Sequence, residues 1–274
     1  MPETDNSAPP LLDEVWLDQL RDTLEATNGL LICLDFDGTL APIVDDPGEA
    51  TIAPENEPLL RRLAEDPDVT VVVVSGRSLS DLREHVGVDG IHYAGNHGLE
   101  WDDGSGRTVA PATQGTREAL REALGRIRSL LADIDGCTIE DKHLTATVHY
   151  RRVSDAQRPT VVEVTKRVVE PTDALRLRSG KEVLEIWPDV PGHKGRVVER
   201  LRDRRPDTVP LFIGDDVTDE DGFRAVGEDG HGILVGDRSD TAASVRVPNP
   251  AGVTLFLTWL VQMYVESPDG SLRY

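Results

Sequence analysis

Short apolar runs recur along the chain at residues 30–34, 69–74, 91–94, 209–213 and 232–235. They are largely apolar without alternation, the pattern of strands covered on both faces. Helical patterns lie between several of them. "APENEPLLRRLAED" carries Leu59, Leu60 and Leu63; "SLSDLREHVG" has a Ser78 or Ser80 cap and a Gly87 stop; "GRVVERLRDRRP" has a stripe of Val197, Val198 and Leu201 and ends at Pro206. Strand–helix alternation of this kind predicts an α/β fold with a doubly wound, Rossmann-like parallel sheet.

The middle of the chain has a different rhythm. "TREALREALGRIRSLLADI" reads as one long helix, and "CTIEDKHLTATVHYRR" as a strand, a turn and an alternating strand, with Leu144, Ala146 and Val148 set against Thr145, Thr147 and His149. "DAQRPTVVEVTKRVVEP" is a further helix, and "LRLRSGKEVLEIWP" a hairpin with its turn near Ser179 and Gly180. These elements predict an α+β domain inserted over 106–187, between core segments 1–105 and 188–274, with 1–12 a flexible tail.

Composition narrows the picture. No apolar stretch reaches the roughly 18 residues that span a bilayer, and "MPETDNSAPP" lacks the basic-then-apolar order of a signal peptide. The expectation is a soluble, cytoplasmic monomer that does not engage a membrane. Cys33 and Cys137 are the only cysteines, so a disulfide framework is not expected. The 50 acids against 29 bases give a net charge of −21, which argues against nucleic acid as a partner and suits a medium of high salt. Lysine is scarce (Lys142, Lys166, Lys181 and Lys194), which makes each one worth asking about.

In open α/β sheets the site lies at the carboxyl ends of the strands. The first run ends in Asp35 and Asp37, the second in Ser75 of "SGR", and the run at 209–213 in Asp215 and Asp216, then Asp219 and Glu220; Lys194 sits in "PGHKGR". So many carboxylates in one cleft need a cation. Mg²⁺ suits them, being hard and oxygen-liganded. No His/Cys set supports zinc, and "DFDGTL" has its glycine at the wrong place for an EF-hand. Lys194 and Ser75 then read as phosphate holders, with one of Asp35 and Asp37 a nucleophile and the other an acid and base. His149 and His193 read as structural.

"LDFDGTL", "VVSGR", the lysine of "GHKG" and "GDDVTDEDGF" together resemble, in order and context, the haloacid-dehalogenase-like phosphatases. The finer resemblance is to the trehalose-6-phosphate phosphatase family, through "LDFDGTLAPIV", "YAGNHGLE", "EDKHLTATVHYR", "GKEVLEIWP" and "IGDDVTDEDGF". It implies a core of that superfamily with an inserted cap of the C2 type. It also implies Mg²⁺-dependent hydrolysis of trehalose 6-phosphate, a disaccharide phosphate, through an aspartyl-phosphate. By position, Asp35 is the implied nucleophile and Asp37 the acid and base, its pKa raised by neighbouring carboxylates. The implied metal site takes Asp35, the Asp37 carbonyl and Asp215, with Asp216 or Asp219 completing the shell through water. Thr39 and Ser75 would contact the phosphoryl group, Lys194 would neutralise it, and Arg77 joins the substrate contacts. Asn96, His97 and Gly98 fall at the hinge. Glu140, Lys142, Arg151, Gly180, Lys181 and Glu185 look like the family's sugar-contacting positions. The competing readings are a capped phosphatase of sucrose 6-phosphate or mannosyl-3-phosphoglycerate, and a sugar-phosphate sensor without turnover.

Overall fold

The computed structural model describes residues 8–27, 29–44, 46–110, 115–180, 182–189 and 193–264. The chain runs through helix α1 (Glu14–Glu25), strand β1 (Leu30–Asp35), α2 (Asn56–Ala64), β2 (Val69–Val74), α3 (Leu79–Val86), β3 (His92–Gly95), β4 (Glu100–Asp102) and β5 (Arg107–Val109). It continues through α4 (Thr116–Leu130), β6 (Thr138–Asp141), β7 (Ala146–His149), α5 (Arg158–Val169), β8 (Leu175–Gly180) and β9 (Val183–Pro188). It closes with α6 (Lys194–Arg204), β10 (Val209–Gly214), α7 (Glu220–Ala225), β11 (His231–Val235), β12 (Val245–Val247) and α8 (Pro250–Tyr264). Two compact units result, one of residues 1–107 with 192–274 and one of 108–191.

In the larger unit the sheet order is β12-β11-β10-β1-β2-β3-β4-β5, parallel from β12 to β3 and antiparallel from β3 to β4. Every residue of β1, β2 and β10 is buried, as their unbroken apolar runs require. Leu30, Ile32 and Leu34 face one core, shared with Leu60, Leu63, Phe256 and Leu257. Leu31 and Cys33 face another, with Val197, Val198, Leu201 and Phe212. Helices therefore cover both faces, and only the strand ends are left for chemistry. The smaller unit has an antiparallel sheet of order β6-β7-β9-β8. Its apolar face, through Ala146, Val148, Leu184 and Ile186, packs on residues of α4 and α5 such as Leu124, Ile127, Val161 and Val168. No helix among the described residues is long and apolar enough to cross a membrane.

The structure departs from the sequence pattern in several places. Residues 9–12 are not a free tail: Leu11 bridges to Arg246, Leu12 N donates to Arg246 O at 2.8 Å, and Arg246 N donates to Pro10 O at 2.9 Å. Helix α4 stops at Leu130, short of residue 134, where Asp133 and Asp135 would have opposed the helix dipole. The hairpin turn falls after Gly180, which pairs with Val183, and Glu182 takes the left-handed conformation, φ 61°. Strand β9 runs on to Pro188. Helices α1 and α8 and strands β4, β5 and β12 had no counterpart in the pattern. Charge is also unevenly divided. Residues 108–191 carry 13 acids and 13 bases, so the other unit, with 37 and 16, holds the whole −21.

Ser78 caps α3, accepting from Asp81 N, and Gly87 ends it at φ 64°. Gly87→Ala should cost about 1 kcal/mol because the position is left-handed. Gly125, inside α4 with open space around it, should give the opposite sign, Gly125→Ala gaining about 0.8 kcal/mol. Urea unfolding of the two variants checks both signs.

Candidate active site

Asp35 is the last residue of β1, Ser75 follows β2 and Asp215 follows β10. These three strands are neighbours with β1 in the middle, so in-register parallel pairing brings their ends to one edge. Lys194, the first residue of α6, reaches the same edge. Its Nζ donates to Asp35 Oδ1 and to Asp219 Oδ1, each at 2.7 Å. All three groups are almost wholly buried: Asp35 is 4 %, Lys194 3 % and Asp219 0 % exposed. Burial works against the ammonium's charge, but Asp219 and Asp35 outweigh it and hold the lysine pKa above its ordinary value.

Asp35, Asp215 and Asp219 bring one carboxylate oxygen each to within 4.8 Å of one another. Burial raises the Asp35 carboxyl well above the usual range, with Asp219 and Asp215 adding to the rise and Lys194 opposing it. Burial, then the charge of Asp219, pushes Asp215 up to about 6. Asp215 Oδ1 is buried and has no hydrogen-bond partner among the described residues. Three carboxylates around one ammonium leave two negative charges to be met. Asp219 is the most committed of the three, since its Oδ2 accepts from Asp215 N at 3.1 Å and Asp216 N at 3.0 Å. It fixes the loop that presents Asp215 as well as Lys194. Asp216 is exposed and outside the cluster; its side chain caps the 3₁₀ turn Val217–Asp219. Glu220, expected among the cation-binding acids, instead accepts from Arg238 Nη2 and Ala242 N, each at 2.7 Å.

The turn after β1 needs Gly38. It stands at φ 83°, and a Cβ there would collide with the Asp215 carboxylate. The turn is braced from below by buried Asn56, whose Nδ2 donates to Leu40 O at 3.3 Å and whose Oδ1 accepts from Thr254 Oγ1 at 2.8 Å. Thr39 is fully buried and its Oγ1 has no hydrogen-bond partner among the described residues. Ser75 Oγ accepts from Arg77 N at 3.2 Å, which leaves its proton free to donate elsewhere.

The group next to the Asp37 carboxylate is not another acid but Arg77. Arg77 Nε donates to Asp37 Oδ2 at 2.8 Å and Nη2 to Oδ1 at 2.7 Å, a bidentate fork. Arg77 Nη1 donates to Asp81 at 3.0 Å, and the guanidinium lies 5.2 Å from the centre of the Phe36 ring. Arg77, expected at the substrate, is thus the residue that holds Asp37. Asn96 and His97 both have positive φ, 47° and 55°, a strained pair that persists because neighbours hold it. Asn96 N donates to Arg77 O at 2.6 Å and His97 N to Ser75 O at 2.9 Å. Asn96 Nδ2 donates to buried Glu100, which also pairs with Arg107. Gly98 stands at φ 92°, where a Cβ would press on Val197.

In the smaller unit Glu140, Thr147 and Glu185 align across β6, β7 and β9. Glu140 Oε2 lies 3.1 Å from His149 Nε2 and 3.7 Å from Lys142 Nζ, so His149 is polar and engaged rather than merely packed. Glu185 Oε2 accepts from Trp187 Nε1 at 3.2 Å. Arg151 Nε and Arg158 Nη1 share Glu182, at 3.3 and 2.8 Å. Gly180 ends β8; Lys181 lies outside the described residues. Asn56, Arg238 and Glu100 had no local signal, since each acts through a partner distant in sequence or through burial.

Comparisons with known proteins show the family. The model of the trehalose-phosphatase family matches residues 33–250. A trehalose-phosphate phosphatase of Mycobacterium tuberculosis is 37% identical over 92% of this chain and 68% of its own. The C-terminal domain of Candida albicans trehalose-6-phosphate phosphatase shares the fold, with a TM-score of 0.77, 23% identity, and coverage of 94% of this chain and 99% of that one. An Aspergillus fumigatus trehalose-6-phosphate phosphatase gives a TM-score of 0.67 at 27% identity, covering 93% of this chain and 99% of that one.

Removing Asp219 strands a buried ammonium and two loop N–H groups, so Asp219→Ala should lower stability by about 3–5 kcal/mol. Asp216→Ala, the loss of a cap alone, should cost about 1 kcal/mol. Equal midpoints in urea for the two variants would contradict this division of roles.

Proposed function

Because the chain belongs to the trehalose-phosphatase family and is a phosphatase, we propose that it releases inorganic phosphate from trehalose 6-phosphate through an aspartyl-phosphate at Asp35. The observation that carries the reading is the buried Asp35–Lys194–Asp219 chain at 2.7 Å, beside the unpartnered Asp215 Oδ1. An Asp35 oxygen attacks phosphorus in line. The Asp35–phosphorus bond forms as the bond to the sugar 6-oxygen breaks, and Asp37 gives that oxygen its proton. Water then attacks the phosphorus, Asp37 takes its proton, and Asp35 is released. Arg77 keeps Asp37 in one orientation between these steps, and Asp37 gives up one of the two Arg77 hydrogen bonds when it carries a proton. Thr39 Oγ1 and the Ser75 hydroxyl donate to the phosphoryl oxygens, and Lys194 offsets their charge.

A divalent cation fits the acid cluster. The two uncompensated negative charges, the orphaned Asp215 oxygen and the all-oxygen donor set suit Mg²⁺, which the Asp35 and Asp215 side chains and the Asp37 carbonyl would hold. When bound it supplies charge neutralisation at the phosphoryl group. Asp219 serves as the support behind those ligands. The smaller unit reads the sugar through Glu140, Lys142, Arg151, Lys181 and Glu185, and the balanced charge of that unit suits a neutral disaccharide.

Two outcomes are expected. Asp35→Asn should fold normally yet release no phosphate from any member of a panel of trehalose, sucrose and mannosyl phosphates, where the wild type favours trehalose 6-phosphate; turnover by the variant removes the nucleophile assignment. The second concerns pH. Asp215 titrates at about 6, above the carboxylate's ordinary 3.8, so the metal-free fold binds an extra proton in this window. The stability that this one group contributes is lost as pH rises from about 4 to about 6. Mg²⁺ competes with that proton, so the rise in Tm on adding Mg²⁺ should be small at about pH 5 and full at about pH 8. An equal rise at both would place the metal elsewhere.

A further inference from the structure

The sheet of the smaller unit has one face committed to helices, through Ala146, Val148, Leu184 and Ile186. Alternation turns their neighbours to the opposite face. Register then sets Glu140, Thr147, Glu185 and Arg178 in one row across all four strands. Arg178 is exposed, and its guanidinium carbon sits 4.1 Å from the centre of the Trp187 ring. Trp187 itself is buried, and its Nε1 donates to Glu185 Oε2 at 3.2 Å.

Arg178 and Glu185 are directly opposed on β8 and β9. Opposite charges at such positions ordinarily pair. Here they form no ion pair: Trp187 holds each of them separately, the arginine on its face and the glutamate on its N–H. Among the described residues no hydrogen bond or ion pair uses the donors of Arg178, in contrast to Arg176, whose fork is taken up by Asp189. The result is a planar donor, stacked and restricted in its rotamers, beside a carboxylate acceptor that is also fixed. Such a pair matches neighbouring hydroxyls of a sugar, one accepting and one donating, and its ordering cost is met before the ligand arrives.

We propose that Arg178 is a specificity-determining residue, donating hydrogen bonds to the hydroxyls of the sugar while Glu185 accepts from them, with Trp187 the platform that keeps the two apart. The proposal rests on the sugar-phosphatase reading above and names a residue to which neither the motifs nor the resemblance pointed.

The test uses the full chain with Arg178→Ala and Arg178→Met. Methionine keeps an apolar stem over Trp187 but has no donor. A lost hydrogen bond to a charged donor should raise KM for trehalose 6-phosphate by about tenfold or more in both variants. Their kcat should be little changed, and so should turnover of 4-nitrophenyl phosphate, which has no sugar. Neutral trehalose, as an inhibitor of 4-nitrophenyl phosphate turnover, should weaken by the same factor, which separates hydroxyl contact from attraction to the phosphate. A wild-type KM in Arg178→Met would make Arg178 only a cover for Trp187 and overturn the proposal. Equal losses on both substrates, or unchanged inhibition by trehalose, would do the same. If the wild type prefers another sugar phosphate, the substrate reading fails, and the same ratios, taken with that compound and its free sugar, decide on Arg178.

Discussion

The carboxyl edge of the larger sheet is organised by a buried ammonium. Lys194 lies between Asp35 and Asp219 at 2.7 Å from each, in a place where an unpaired charge could not stay. Each partner is itself tied to a different part of the sheet. Asp35 ends β1, and Asp219 folds the loop after β10 by accepting from Asp215 N and Asp216 N. Removing the Lys194 or the Asp219 side chain leaves a buried charge without its main partner. That pairing keeps the carboxylates together despite their repulsion, and it leaves Asp215 with an oxygen that none of the described residues satisfies.

A second layer of support sits behind this one. Asn56 ties α2 and α8 to the turn after β1, Arg238 and Glu220 clamp the loop beside Asp216, and Arg77 holds Asp37 with both ends of its fork. The strained Asn96–His97 segment is bonded to the same Ser75–Arg77 loop. The smaller unit follows another rule. It is electrically balanced where the larger one carries −21, and its polar side chains are held by one another, as Trp187 holds Arg178 and Glu185.

Some of this was legible in the chain. Continuous apolar runs gave the parallel strands, because a strand covered on both faces cannot alternate, and polar residues directly after those runs had to fall at one edge. Ser78 and Gly87 bounded α3 through local capping chemistry, which needs no tertiary partner. The acids and Lys194 stood out for the same reason: their positions relative to a strand end or a helix start are matters of a few residues. Helix α8 was not legible, since it is apolar nearly all round and its periodicity is weak. Strand β12 is three residues long and could not be told from a loop.

The sequence by itself determined which residue types reach the carboxyl edge, since strand register and burial follow from the apolar pattern. Only the tertiary structure decided how those groups divide. Asp215 and Asp219 both lie in "GDDVTDED", yet Asp219 accepts three hydrogen bonds and Asp215 is left with an oxygen that no described residue meets. Arg77 went to Asp37, Glu220 to Arg238, and Arg178 to Trp187 rather than to Glu185. The physical reason is that pairing among long charged side chains depends on distances and desolvation set by elements far apart in the chain, which no local pattern encodes.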